Sequence, residues 1–213
     1  MHTFAEIALA GAGTASSPIE SAGPSLSVSQ VSGPASSPRR LRAVSLEQML
    51  AARERRIARQ STALARFRKP LVSMTVVMPG PVKDGPLPRF VLGVALRELN
   101  ALARSRDWPV LSLEIGSRAT GSEAIFVIAV QSELLKRATI ELEDHHPLGR
   151  LWDLDVIAPG QGYLSRQTLG LPARRCLVCD RSAYECGRSR RHPLEELLNT
   201  IGNIAREYDR ARG

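Results

Sequence analysis

The spacing of apolar positions changes several times along the chain, and each change predicts an element. From Ser45 onward Leu46, Met49, Leu50, Ile57 and Leu64 recur among arginines at helical spacing. Ser45-Leu-Glu-Gln48 sets a hydroxyl three residues ahead of a glutamine, a capping box that starts a helix at 45. The helix runs to 67, where Lys69-Pro70 stops it. Residues 71–78 are β-branched enough for a strand, and Pro79-Gly80-Pro81 breaks it. A second helix spans 89–106, with Phe90, Val91, Val94, Leu96, Leu99 and Leu102 as its stripe. Two buried strands follow at 110–115 and 124–130, joined by a polar, glycine-containing stretch at 116–123. Ser132 starts a third helix that runs to 144. Residues 151–157 read as one strand, with apolar and polar residues alternating from Trp152 to Val156, the mark of a half-buried strand. Gly160 and Gly162 make a turn, 163–166 add an edge strand, and a last helix fills 193–208. The order strand, helix, strand, strand, helix, strand predicts an α+β domain whose mixed sheet is covered by helices on one face.

The 43% hydrophobic content and length of 213 residues suffice for one ordinary core. Residues 1–40 stand apart, because Ser, Ala, Gly and Pro dominate from Gly11 to Pro38 without periodicity. Such a stretch cannot bury enough apolar surface to offset its ordering entropy and reads as a disordered extension. The catalytic domain is thus expected over 41–209. No apolar run nears the roughly 18 residues that span a bilayer, and no basic apolar leader precedes residue 39, so cytoplasm is the expected location.

Charge narrows the choice of partner. The net +8 comes almost wholly from arginine, since Lys69, Lys83 and Lys136 are the only lysines. Arginine presents a planar fork suited to phosphates and carboxylates, so a polyanionic partner is expected. A solvated surface with arginine bias would give the same count. The basic face of the first helix, with Arg53, Arg55, Arg56 and Arg59, admits the same two readings.

Two groups of residues carry candidate chemistry. In Gly149-Arg-Leu-Trp-Asp-Leu-Asp-Val156 the alternation puts Asp153 and Asp155 on one strand face, with Trp152, Leu154 and Val156 on the other. Paired carboxylates beside substrate phosphates are what Mg²⁺ prefers. A strand with an acidic outer face is the plain alternative. His145 and His146 lie just before this strand, and His146 is the candidate acid–base or phosphate-binding group, or else a helix-end histidine. The second group is Cys176-x-x-Cys179, Cys186 and His192, a Cys₃His pattern for Zn²⁺. Three reduced thiols packed as small hydrophobes are the competing reading. Arg150, Arg166, Arg174, Arg175, Arg188, Arg190 and Arg191 surround these groups and are candidate phosphate ligands, as is Lys83 in the loop after the first strand.

Taken together, Ser45-Leu-Glu-Gln-Met-Leu-Ala-Ala-Arg-Glu-Arg-Arg, Pro79-Gly-Pro-Val-Lys83, His146-Pro-Leu-Gly-Arg-Leu-Trp-Asp-Leu-Asp-Val156 and the cysteine block ending at His192 resemble one family, over residues 45–200. It is the apo-citrate lyase phosphoribosyl-dephospho-CoA transferase family, or holo-citrate lyase synthase. The resemblance implies transfer of phosphoribosyl-dephospho-CoA from triphosphoribosyl-dephospho-CoA to a serine of the citrate lyase acyl-carrier (gamma) subunit, releasing pyrophosphate. It also implies nucleotidyltransferase-type chemistry, with Mg²⁺ on Asp153 and Asp155 and arginines around the triphosphate. One departure stands out: polymerase-β-type nucleotidyltransferases place Gly-Ser shortly before Asp-x-Asp, whereas Gly116-Ser117 lies far upstream of Asp153. Two other functions compete, a zinc-stabilised nucleic-acid-binding module and a non-catalytic assembly factor of citrate lyase. Nucleic acid is disfavoured, because aromatics form only 4% of the chain and no stacking platform is visible.

Overall fold

The structure is a computed structural model that describes residues 41–212, so the low-complexity segment 1–40 lies outside the described residues. The chain runs α1 (Leu46–Phe67), β1 (Leu71–Val76), α2 (Pro86–Ser105), β2 (Val110–Arg118), β3 (Gly121–Ile128), α3 (Ser132–His145), β4 (Trp152–Ala158), β5 (Gly162–Leu164), α4 (Ala183–Ser189) and α5 (Leu194–Arg210). Short 3-10 turns at Gly149–Leu151 and Gln167–Leu169 flank the β4–β5 hairpin. Ser45 and Gln48 cap α1 reciprocally, as their spacing predicts.

The strands lie in the order β2-β3-β1-β4-β5, and every neighbouring pair is antiparallel. The sheet is therefore not mixed, contrary to expectation, and the reason is topological. The α3 crossover joins β3 to β4, which run the same way, but β1 sits between them and pairs with both. The polar stretch 116–123 joins its strands as a plain hairpin. β2 and β3 extend through it to the pair Arg118 and Gly121, and Gly121, at φ +115°, takes the backbone conformation that closes this tight hairpin.

Helices cover both faces of the sheet rather than one. On the first face Val72, Met74, Phe126, Ile128, Trp152 and Leu154 meet Val91, Val94 and Leu99 of α2, Leu135 of α3, and Ile201 and Tyr208 of α5. On the second face a smaller cluster, Leu71, Ile125, Val127 and Ile157, is covered by Ala63, Leu64 and Phe67 of α1. Only the last turns of α1 are apolar toward the sheet. Toward its first turns the facing strand positions become polar, and the acidic residues lie there. None of the described helices is long and apolar enough to cross a membrane.

Candidate active site and metal centre

The register fixes what shares the α1 face. Ser73 of β1 lies between Ile125 and Asp155, and Thr75 lies between Glu123 and Asp153. Buried Trp152, Leu154 and Val156 alternate with partly exposed Asp153 and Asp155, so both acids project from one side of β4. Thr75 Oγ1 reaches Asp153 Oδ2 at 3.5 Å, and Arg174 Nη1 stands 3.7 Å from Asp153 Oδ1. Asp155 makes no hydrogen bond or ion pair among the described residues; Lys136 and Arg56 act on it only at longer range. Burial, with Asp153 as the next cause, raises its carboxyl to about 6. Two carboxylates on one strand face, one of them without a paired cation, are a donor set that could hold a hard divalent ion.

The neighbours of this pair include residues without a sequence signature. Glu123 is paired with Arg56 at 3.1 Å and with Arg59, which also holds Glu114 at 2.8 Å. The basic face of α1 is thus partly spent on the sheet's own acids. Gln60 is buried on α1 and donates to Ser73 Oγ at 2.7 Å, while Tyr163 donates to Gln60 at 3.1 Å. The alternation of Ser73 and Thr75 within Leu71-Val-Ser-Met-Thr-Val76 is the one sequence sign of a polar row matching the aspartates.

Beside β4 a hollow of about 340 Å³ is lined by Asp144, Arg150, Arg166, Pro172, Ala173, Arg174 and Arg175. Four of these lining residues are arginines and one is an aspartate. Arg166 is committed in part, to Glu143 at 2.7 Å and Asp144 at 2.8 Å. Arg174 donates to the carbonyls of Gly149, Arg150 and Trp152, and Arg150 to those of Arg175 and Cys176. Burial, and then Arg174, lower the pKa of Arg150, against the pull of Asp144. The structure therefore brings Arg150, Arg166, Arg174 and Arg175 together and places Asp153 at their edge.

Other predicted residues lie apart. His146 is across the sheet, stacked on Trp152 with ring centroids 4.4 Å apart, and its Nδ1 accepts the Leu148 amide at 3.0 Å. Burial lowers its pKa, against the pull of Glu98 at 4.0 Å. This is the environment of a core histidine, and Asp153 and Asp155 point the other way. Lys83 donates to the Met78 carbonyl at 2.6 Å, and burial lowers its pKa. It is thus tied into its own loop rather than into the arginine hollow. Arg188 donates to the Tyr184 hydroxyl, and Arg188, Arg190 and Arg191 are exposed around the cysteine segment, outside the hollow's lining.

Cys176, Cys179, Cys186 and His192 converge, their ligand atoms all within 4.8 Å of one another. Cys179 Sγ lies 3.5 Å from Cys186 Sγ and 3.4 Å from His192 Nε2. Ligands around a tetrahedral zinc stand about 3.5–3.8 Å apart, given bonds near 2.0–2.3 Å, so the spacing fits. His192 Nδ1 faces Glu196 Oε2 at 3.1 Å, the outer carboxylate that commonly orients a ligating imidazole. The backbone amide of Arg181 and then His192 hold Cys179 down to about 7, whereas burial and its thiol neighbours push Cys186 up to about 12. Three thiols crowded this closely resist full ionisation until a cation joins them.

Comparison with known proteins decides the family. The model for apo-citrate lyase phosphoribosyl-dephospho-CoA transferase matches residues 44–208. The chain belongs to that family. A protein of this name from Citrobacter koseri is 47% identical over 167 residues, covering 78% of this chain and 91% of the relative. Those of Escherichia coli O7:K1 and Escherichia coli O1:K1 are each 44% identical over the same spans. Family membership favours the transferase over the nucleic-acid-binding and assembly-factor readings.

Proposed function

We propose that this protein attaches the phosphoribosyl-dephospho-CoA group, taken from triphosphoribosyl-dephospho-CoA, to a serine of the citrate lyase acyl-carrier subunit. In this reading the serine hydroxyl gives up its proton to solvent as its oxygen bonds to the phosphorus next to ribose, the bond from that phosphorus to the following bridging oxygen breaks, and pyrophosphate departs. The observation that carries the reading is the placement of Asp153 and Asp155, side by side on one strand face, next to a hollow with four arginines. Arg150, Arg166, Arg174 and Arg175 would bind the triphosphate and offset the charge gathering on the leaving pyrophosphate. Asp153 and Asp155 would hold Mg²⁺, which supplies charge neutralisation between the carboxylates and the phosphate oxygens. Thr75 orients Asp153, and Gln60 fixes Ser73 beside Asp155. The chemistry is nucleotidyl transfer in type. His146 and Lys83 have no part in this arrangement.

Cys176, Cys179, Cys186 and His192 would hold Zn²⁺ in a structural role, since four protein ligands leave no open coordination position. Their task is to fix the segment that carries Arg174 and Arg175 against β4.

The deciding experiment incubates the protein with carrier subunit, triphosphoribosyl-dephospho-CoA and Mg²⁺. The carrier should gain the mass of the transferred group with one pyrophosphate released per event. Asp153→Asn should cut turnover at least about 100-fold while carrier binding persists. Full turnover in both Asp153→Asn and Asp155→Asn would remove the proposed site.

A further inference from the structure

A second cavity, of about 830 Å³, lies on the other side of the segment that walls the arginine hollow. Arg174 and Arg175 line the hollow and the next residue, Cys176, lines this cavity, so one backbone step separates the two. Arg150 fastens that step by donating to the carbonyls of both Arg175 and Cys176. The cavity walls come from three places: Val77 and Pro79 after β1, Leu177 and Ala183 of the cysteine segment, and Leu194 and Leu197 of α5. Gly80 closes one side against α5, where a Cβ would stand 3.0 Å from a Leu194 methyl. Polar groups are few, chiefly the exposed Arg190 and His192, whose two ring nitrogens already face Cys179 and Glu196.

Size and lining match a small-molecule site, apolar with a few polar groups at one side. No Phe, Tyr or Trp is among the lining residues, and the His192 ring is held at both nitrogens by Cys179 and Glu196, so the walls offer a purine little to stack on. An aliphatic chain with occasional amides suits the walls better.

We infer that this cavity takes the pantetheine arm of the donor's dephospho-CoA moiety, while the arginine hollow across the Arg175–Cys176 step holds the donor's triphosphate. The inference rests on the transferase reading and extends it from the phosphates to the rest of the donor. The geminal methyls of the pantoyl unit would bury against Leu177, Leu194 and Leu197, and its amides would face Arg190. The cysteine cluster then does more than anchor arginines: it shapes the wall that tells a dephospho-CoA derivative from a shorter nucleotide.

The test compares binding of dephospho-CoA with that of ADP, which shares the adenosine and diphosphate but has no pantetheine. The wild-type protein should prefer dephospho-CoA by at least about tenfold, the return on burying roughly two methyl groups. Ala183→Phe and Leu197→Phe fill the cavity. Each should erase that preference and leave ADP affinity within about twofold of wild type, which also reports that the variant is folded. Equal binding of the two ligands to wild-type protein, or a preference that survives both variants, overturns the inference. So does weakened carrier binding with an unchanged preference, which would make the cavity a pocket for a carrier side chain. Should both variants lose ADP binding as well, a photoreactive aryl azide on the thiol of dephospho-CoA decides. Crosslinks to residues 77–80 or 176–197 support the inference, and crosslinks elsewhere refute it. Transfer that proceeds normally while the ligands bind alike removes only the cavity assignment, whereas absence of transfer with every donor removes the underlying function.

Discussion

Two regions meet at the candidate site, and different forces hold them. On the first face of the sheet, large side chains such as Trp152, Phe126, Leu99 and Leu135 are fully buried. Along residues 166–193 only Cys176 and Cys186 are buried. That stretch is pinned by Arg166 on Glu143 and Asp144, by Arg174 and Arg150 on backbone carbonyls, and by its thiols and His192. One region is held by area removed from water, the other by a few directed bonds. Directed bonds can place guanidiniums beside a triphosphate without an apolar core beneath them, but they depend on one cluster.

The contrast can be broken first at its strongest point. Trp152→Ala empties a buried volume and removes the hydrogen bond that Trp152 Nε1 donates to the Val91 carbonyl at 3.1 Å. It should cost about 3–5 kcal/mol in urea unfolding and bring down both regions together. Cys179→Ser, or removal of metal with a strong chelator, should instead act locally. Amide exchange should rise across 166–193 while β1, β3 and β4 keep their protection, and turnover should fall about 10–100-fold. Loss of the whole fold on chelation would show that the two regions are not separable.

A third comparison sets function against stability inside the acidic strand. The Asp155 carboxyl is raised from 3.8 to about 6, so ionising it costs the folded state. That cost is absent below pH 3.8, grows between the two values and is complete above 6. Asp155→Asn should therefore raise the Tm of the metal-free protein at pH 7–8, with the gain disappearing near pH 3.5, and Mg²⁺ should narrow the gap by stabilising the wild type alone. An equal gain at every pH would mean that the amide packs better for reasons unrelated to charge. The smallest effect belongs to the cap of α1. Ser45→Ala removes the oxygen that accepts the Gln48 amide at 3.2 Å and should cost about 1 kcal/mol, with no change in turnover.

The same division governs what could be read from the chain. Periodicity gave the helices and strands of the first region, because burial repeats every two or 3.6 residues. Pairing direction escaped, since nothing local in β1 reveals that it inserts between β3 and β4. Asp153 and Asp155 were legible through strict alternation, and Cys176, Cys179, Cys186 and His192 through spacing. Separating Arg150, Arg166, Arg174 and Arg175 from Arg188, Arg190 and Arg191 needed tertiary structure, because all of these look alike in a basic sequence. Proximity in sequence misled for His146: the turn at Gly149–Leu151 carries the chain past the edge of the sheet, leaving His146 on Trp152.

The outer edge of β4 has one more consequence. Beyond the short pairing with β5, no strand among the described residues completes it; Glu143 Oε1 accepts the Leu154 amide, Lys136 Nζ donates to the Leu154 carbonyl, and Arg174 donates to that of Trp152. Three side chains thus imitate a neighbouring strand, and none offers a further edge to copy. The acidic strand offers a foreign β-segment little free edge to pair with there, and the hollow beside it stays open instead of zipping shut into a stacked sheet.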